Sequence, residues 1–197
     1  MTPGTLVLLH SPLTTASAWG SLPEALGAYD VAVPEVTDDD RPPYAGRYVA
    51  RAALEIAAAG VTPPVVLVAH GDAGPLLPSI GAAQRAAHRM VGAYVFVDAE
   101  LPRAAPKARR GYTDGEVPAG VTLRARDAGF FAEEPPPAQD WPDAPCGYLR
   151  TSARHGDQAG QARLRGWEVG EHLSGHFAAV EDPDGTAAAL SALMSAL

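Results

Sequence analysis

Four short runs constrain this chain most: TLVLLH at 5–10, YDVAV at 29–33, VVLVA at 65–69 and AYVFV at 93–97 are apolar at nearly every position. A strand with one wet face alternates between apolar and polar residues. A run that is apolar on both faces belongs to a sheet covered on both sides, which is the situation of parallel strands between helical layers. The stretches between the runs read as helices. One lies around Trp19–Gly27, one over Arg47–Ala59 with apolar residues at helical spacing and a stop at Gly60, one over Pro75–His88, and one over Thr186–Leu197. Gly147–Thr151 and Trp167–Val169 are two further strand candidates. The expectation is an α/β fold with a mostly parallel central sheet of about six strands and helices on both faces.

Composition bounds the rest. The 197 residues suit one domain, 1–197, with a core that needs no staples. A formal net charge of −8 argues against nucleic acid and anionic membrane as partners. The single cysteine, Cys146, excludes an internal disulfide framework and metal sites built on several thiolates, and fits a reducing cytoplasm. The N-terminal MTPGTLVLLHSPL has no basic region before its short apolar run, so no secretory signal is expected. No stretch approaches the roughly 20 apolar residues of a membrane span. Pattern fails between 101 and 145, a proline-rich segment with the basic run RAAPKARR and the stretch GFFAEEPPPAQDW. It is expected to be an irregular insertion, either a plain surface connection or a small lid whose Phe130, Phe131 and Trp141 cover a pocket.

In parallel sheets functional groups gather at the carboxyl ends of the strands. That rule picks out His10–Thr15, Gly71–Asp72, Asp98–Glu100 and the loops after 151 and 169. The histidines lack the H-x₃-H spacing of a helical zinc site, so no metal is expected. No P-loop or G-x-G-x-x-G follows a strand, so no nucleotide cofactor is expected either, and the partner implied is a small molecule. A two-fold homodimer is the default where sequence leaves the oligomeric state open.

Four segments, taken in order, resemble the α/β-hydrolase superfamily. LVLLHSPLTTASAW is similar to the strand and oxyanion loop, VVLVAHGDAGP to the nucleophile elbow, YVFVDAELP to the following strand and its exit, and GEHLSGHFAAVEDP to the loop that carries the catalytic histidine. The resemblance spans about residues 4–197 and is to a short, actinobacterial-type, nearly lidless member without the two antiparallel strands that usually precede the sheet. The elbow turn is so tight that its neighbours must be small. Placing the nucleophile at Gly71 satisfies this with Ala69, Ala73 and Gly74, and leaves a hydrogen atom where a serine would attack. The alternative register puts Asp72 on the elbow and the large His70 where a small residue is required.

The resemblance implies further that the oxyanion loop is altered, because its triplet reads His10-Ser11-Pro12 and proline has no N–H to give. Leu13, or the hydroxyls of Ser11, Thr14 and Thr15, are the substitutes. His176 matches the catalytic histidine, with Asp98 or Asp157 as its acid and Glu100 as a further candidate. His10 and His70 are expected to be hydrogen-bonded supports, and His155 and His172 to be solvated. Asp72 reads either as a helix cap or as a general base or ligand contact in the pocket. Three functions remain open. One is an enzyme doing non-covalent acid–base chemistry (elimination, cyclisation, isomerisation or water addition) on a small, partly apolar metabolite, such as secondary metabolism supplies. Another is a non-catalytic binding protein, and the third a hydrolase using Asp72 or a water activated by His176.

Overall fold

Every strand runs parallel to its neighbours. The computed structural model describes residues 4–37, 39–102, 111–112, 117–134, 137 and 141–197. Within them β1 (Thr5–Leu9), β2 (Asp30–Ala32), β3 (Val65–His70), β4 (Val91–Val97), β5 (Cys146–Arg150) and β6 (Glu168–Glu171) form one sheet in the order β2-β1-β3-β4-β5-β6. The helices are α1 (Leu22–Ala25), α2 (Tyr44–Ala58), α3 (Leu77–Ala86), α4 (Ala128–Ala132), α5 (Gly156–Leu164), α6 (Ala178–Glu181) and α7 (Pro183–Ala196). Among the described residues none of these helices is long and apolar enough to cross a membrane.

The continuous apolar runs have the cause expected of them. Side chains alternate across a strand, so Val7 and Leu9 of β1, Leu67 and Ala69 of β3 and Tyr94 and Phe96 of β4 share one face. Tyr48, Ala52 and Ile56 of α2, Leu77 and Ile80 of α3, and Ala159 and Ala162 of α5 pack on it. Leu6, Leu8, Val66, Val68, Val95 and Val97 take the other face, under Trp19, Leu22, Leu26 and α7. Each fully buried Leu, Val or Phe contributes about 1.5–3 kcal/mol, so these two layers account for most of the driving force.

Register then positions the site. Leu9 lies opposite Ala69, Ala69 opposite Phe96, Phe96 opposite Tyr148, and Tyr148 opposite Val169. The residues just past these positions, His10, Gly71, Asp98 and Thr151, therefore emerge along one edge. The chain winds from β1 out to β2 and then back past β1 to β3, so the order reverses between β1 and β3, where such sheets form their ligand crevice.

Some local expectations shift. The helix expected at Trp19–Gly27 divides into a 3-10 turn, Ala16–Trp19, and the short α1. The helix expected at Pro75–His88 begins as a 3-10 turn, Gly71–Leu76, before α3. The C-terminal helix starts earlier than expected because Asp182 accepts a hydrogen bond from the Gly185 N–H at 3.1 Å and caps it. Much of the 101–145 connection lies outside the described residues. Its described part holds α4, capped by Asp127, which accepts from the Phe130 N–H at 2.9 Å.

Trp141 corrects the lid expectation. Its ring, partly buried, packs at 5.3 Å from Tyr94, 6.0 Å from Phe96 and 5.5 Å from Trp167, against the core layer of α2, α3 and α5. The connection must feed β5 from beside the sheet, and burying an indole on the sheet's flank outweighs leaving it over the crevice.

Candidate active site

Asp98 follows β4 directly and adopts φ +43°, a left-handed turn that aspartate tolerates better than most residues. Its carboxylate is fully buried and is an acceptor on both oxygens. Oδ1 accepts from the Thr151 and Ser152 backbone N–H groups, each at 3.0 Å. Oδ2 accepts from the Ser152 hydroxyl at 2.5 Å and faces Nδ1 of both His155 and His176 at 2.8 Å. Burial alone would favour the neutral acid, but the bonds from His155 and His176 outweigh it and hold the carboxyl well below the usual range.

An ionised Asp98 fixes the histidine tautomers. Nδ1 of His176 carries the hydrogen that Asp98 accepts, so in the neutral ring Nε2 is a bare acceptor. Burial pushes the His176 pKa down and Asp98 only partly restores it, which leaves a neutral base at pH 7. The His155 ring stacks on His176 with centroids 5.2 Å apart and planes 15° apart. The His70 ring lies 4.4 Å away, and its Nε2 donates to the His176 carbonyl at 2.9 Å. His70 is itself kept neutral, its pKa lowered by burial to about 3.

Nε2 of His176 meets the Tyr112 hydroxyl at 3.1 Å. The tyrosine ring packs 5.3 Å from Phe177 and 5.9 Å from the Arg154 guanidinium carbon. Burial, reinforced by the charge of Asp72, drives the phenol pKa upward, so Tyr112 stays a neutral donor. Gly71 makes the turn between β3 and the 3-10 turn at φ +56°. A Cβ placed there would stand 3.2 Å from the Tyr112 oxygen and 3.3 Å from Ser11 Cβ. Three residues on, a Cβ at Gly74 would lie 2.0 Å from the Glu100 carbonyl oxygen, which is the physical reason that position must be glycine.

No family model matches the chain, and no curated protein matches it. Solved structures do. An extracellular α/β-hydrolase from a Paenibacillus species is 17% identical, with a TM-score of 0.66 over 97% of this chain and 99% of that one. The pyrethroid hydrolase of Sphingobium faniae JZ-2 is 15% identical, with a TM-score of 0.68 over 98% of each chain. A tomato methylketone synthase I variant complexed with β-ketoheptanoate is 11% identical, with a TM-score of 0.65 over 100% of this chain and 99% of that one. The chain has the α/β-hydrolase fold.

In this α/β-hydrolase fold the acid beside His176 is Asp98. Asp157, the other candidate, sits in the first turn of α5, and among the described residues it makes no bond to His176. Its turn follows His155, and it is that histidine which the loop delivers to the site. His155 is therefore not solvated, being 4% exposed with Nδ1 on Asp98. Nor is His172 simply solvated, since its Nε2 lies 2.9 Å from Asp182. Glu100 accepts from the Gln158 amide at 3.0 Å and lies away from the dyad's hydrogen bonds. Asp72 lies inside the 3-10 turn, whose capping position is His70, so it does not cap the turn; its charge acts on the Tyr112 hydroxyl.

Two of the substitutes proposed for the oxyanion loop have their donors committed locally. The Leu13 N–H donates to Ser11 Oγ at 3.2 Å, and the Thr14 hydroxyl to the Ser11 carbonyl at 3.2 Å. Thr15 pairs with Ser17 at 2.7 Å. Leu13 packs with Tyr44 and Phe130 in a small cluster against which Tyr112 and Phe131 lie. His10 accepts from the Val36 N–H at 3.0 Å, and burial lowers its pKa.

Sequence reasoning passed over three features. Tyr112 lies in a segment without pattern, and nothing in its neighbours marks it. His155 carries no motif. Arg124 and Arg126 latch the long connection to the sheet's edge: both pair with the fully buried Asp39, at 2.5 and 2.7 Å. Arg126 also donates to the Asp39 and Pro12 carbonyls, at 2.7 and 2.5 Å. Asp98, His155 and His176 bring ligating atoms within 4.8 Å of one another and are the residues that could hold a metal ion. Convergence at the strand ends brings them together without any helical spacing. As they stand, all three are joined by their own hydrogen bonds.

Proposed function

We propose that this protein is an enzyme that carries out acid–base chemistry without a covalent intermediate on a small, partly apolar molecule. One observation carries the reading: an ionised Asp98 orients a neutral His176 whose Nε2 meets the Tyr112 hydroxyl, and that hydroxyl stands 3.2 Å from where a Cβ would project from Gly71, a turn residue with no side chain to attack with. The dyad can take and return a proton; serine-type acyl transfer also needs an attacking hydroxyl on the turn. The reactions within reach are elimination, cyclisation, isomerisation and addition of water. Leu13, Phe130 and Phe131 give the approach an apolar wall, which suits a modest hydrophobic ligand. The fold also carries such a ligand elsewhere, in the methylketone synthase variant complexed with β-ketoheptanoate.

The test is proton exchange. β-Ketoheptanoate and simple β-keto acids are incubated with the protein in D₂O, and loss of the α-proton signal is followed by NMR. Exchange at least tenfold above buffer, abolished in His176→Ala, is the expected result. Oxygen-18 appearing in Asp72 after a single turnover of an ester would instead establish the aspartyl hydrolase. Binding without exchange or hydrolysis across the panel would leave the non-catalytic reading.

A further inference from the structure

We propose that Tyr112 is a catalytic residue of this site: its hydroxyl stands beside the seat that an elbow nucleophile's side chain would fill and passes protons between His176 and the bound molecule. The inference rests on the acid–base reading and adds the group that faces the substrate. Two distances place the hydroxyl. Its oxygen lies 3.1 Å from His176 Nε2. It also stands 3.2 Å from the point where a Cβ would project from Gly71. A glycine at the turn is thus matched by a hydroxyl arriving from the long connection, and the glycine is what makes room for it.

The proton balance closes without any group from outside. As substrate C–H or O–H gives its proton to the tyrosine oxygen, the phenolic proton passes to Nε2, forming an imidazolium whose Nδ1–H stays on Asp98. The return step runs in reverse: Nε2–H reprotonates the tyrosine oxygen, and the tyrosine proton goes to the product. A phenol of raised pKa suits this role, because it is never left as a resting phenolate and serves as donor and acceptor in the same cycle.

A hydroxyl that hands its proton to a neighbouring base is unusually reactive toward a small arylsulfonyl fluoride. The oxygen attacks sulfur, fluoride leaves, and the proton goes to His176. The wild-type protein is treated with benzenesulfonyl fluoride and modification is mapped by peptide mass spectrometry, with the half-buried Tyr29 as the internal reference. Tyr112 is expected to be modified ahead of Tyr29, and in His176→Gln its modification is expected to fall by about 10². No adduct on Tyr112 overturns the proposal, since a hydroxyl out of reach of so small a reagent cannot meet a substrate. Equal modification in His176→Gln overturns it as well. Tyr112→Phe in the D₂O exchange assay separates this inference from the one beneath it. Exchange lost in both Tyr112→Phe and His176→Ala supports both. Exchange kept in Tyr112→Phe but lost in His176→Ala keeps the acid–base reading and removes the tyrosine.

Discussion

The two halves of the site are built to different standards. On the Asp98 side a buried carboxylate accepts five hydrogen bonds from two backbone N–H groups, one hydroxyl and two imidazoles. On the Gly71 side the turn residue carries no side chain, Pro12 offers no N–H, and Leu13 and Thr14 have spent their donors locally. Neglect would erode both halves alike. On the proposed reading the first half handles protons and the second has given up acyl transfer, and the strongest ways to break the comparison are substitutions that strike one half only.

The largest effect is expected from Asp98→Ala. It removes the acceptor of two imidazoles and leaves the Thr151 and Ser152 N–H groups buried without partners, at about 1–3 kcal/mol for each orphaned group. A total loss of about 5 kcal/mol in urea-unfolding free energy is expected, together with all proton exchange. The sign of the pH dependence follows. Folding holds the Asp98 pKa below the roughly 3.9 of an unfolded aspartate, so its contribution is present above about pH 4 and drains away as pH falls from there toward the folded value. A variant with unchanged stability would mean that the hydrogen-bond hub carries no structural weight.

Arg126→Ala comes next; it leaves the Asp98 half alone and meets the Gly71 half only at the Pro12 carbonyl. The guanidinium is 2% exposed and its partner Asp39 is 0% exposed, so the variant leaves a buried carboxylate with Arg124 alone. A cost of about 3 kcal/mol is expected by chemical denaturation, and the latch on the Pro12 carbonyl goes with it. If the long connection serves only as a strap, proton exchange at 25 °C should survive in proportion to the folded fraction.

Gly71→Ser tests the other half. A left-handed φ of +56° costs a serine about 1–2 kcal/mol, and its Cβ would crowd the Tyr112 oxygen at 3.2 Å. A loss of about 2–3 kcal/mol is expected, partly recovered in Gly71→Ser/Tyr112→Phe, which opens the seat. With the Leu13 and Thr14 donors committed and Pro12 lacking an N–H, Gly71→Ser should cleave p-nitrophenyl esters no faster than the wild type. Brisk cleavage would show the acyl-transfer half to be idle and intact, and the contrast between the halves would collapse.

How much of this was legible in the chain follows from what each region buries. β1, β3 and β4 wrote themselves as continuous apolar runs because both their faces are covered, and their order with the intervening helices carried the fold. Glycine at 71 and 74 was legible because a tight turn and a carbonyl at 2.0 Å leave no other choice. The choice between Asp98 and Asp157 was not: both follow strands, and what decides is the backbone turn at Asp98 that aims its carboxylate under His176. His155 and Tyr112 were silent for a related reason. Their meaning comes from meeting residues 57 and 64 positions away, and a proline-rich connection has no periodicity from which such a meeting is read. Trp141 misled because an aromatic in a loop looks the same whether it covers a crevice or fills a flank.

The smallest effect is also the sharpest probe of how the halves communicate. Burial lowers the His176 pKa and Asp98 opposes that shift, so the exchange rate should fall on the acid side with a midpoint below the unperturbed value of roughly 6.5. Below that midpoint the imidazolium forms, and Nε2 donates to the Tyr112 oxygen instead of accepting its proton. Removing the second imidazole should move the limb in a known direction. The charge of His155 disfavours protonation of His176, and His155 also competes for the same Asp98 oxygen, so His155→Gln should raise the midpoint by a fraction of a unit while the plateau rate stays within about threefold. A profile unchanged by His155→Gln would assign that histidine to packing alone. A collapsed plateau would instead place it in the proton path, and the well-built half would then hold two working histidines.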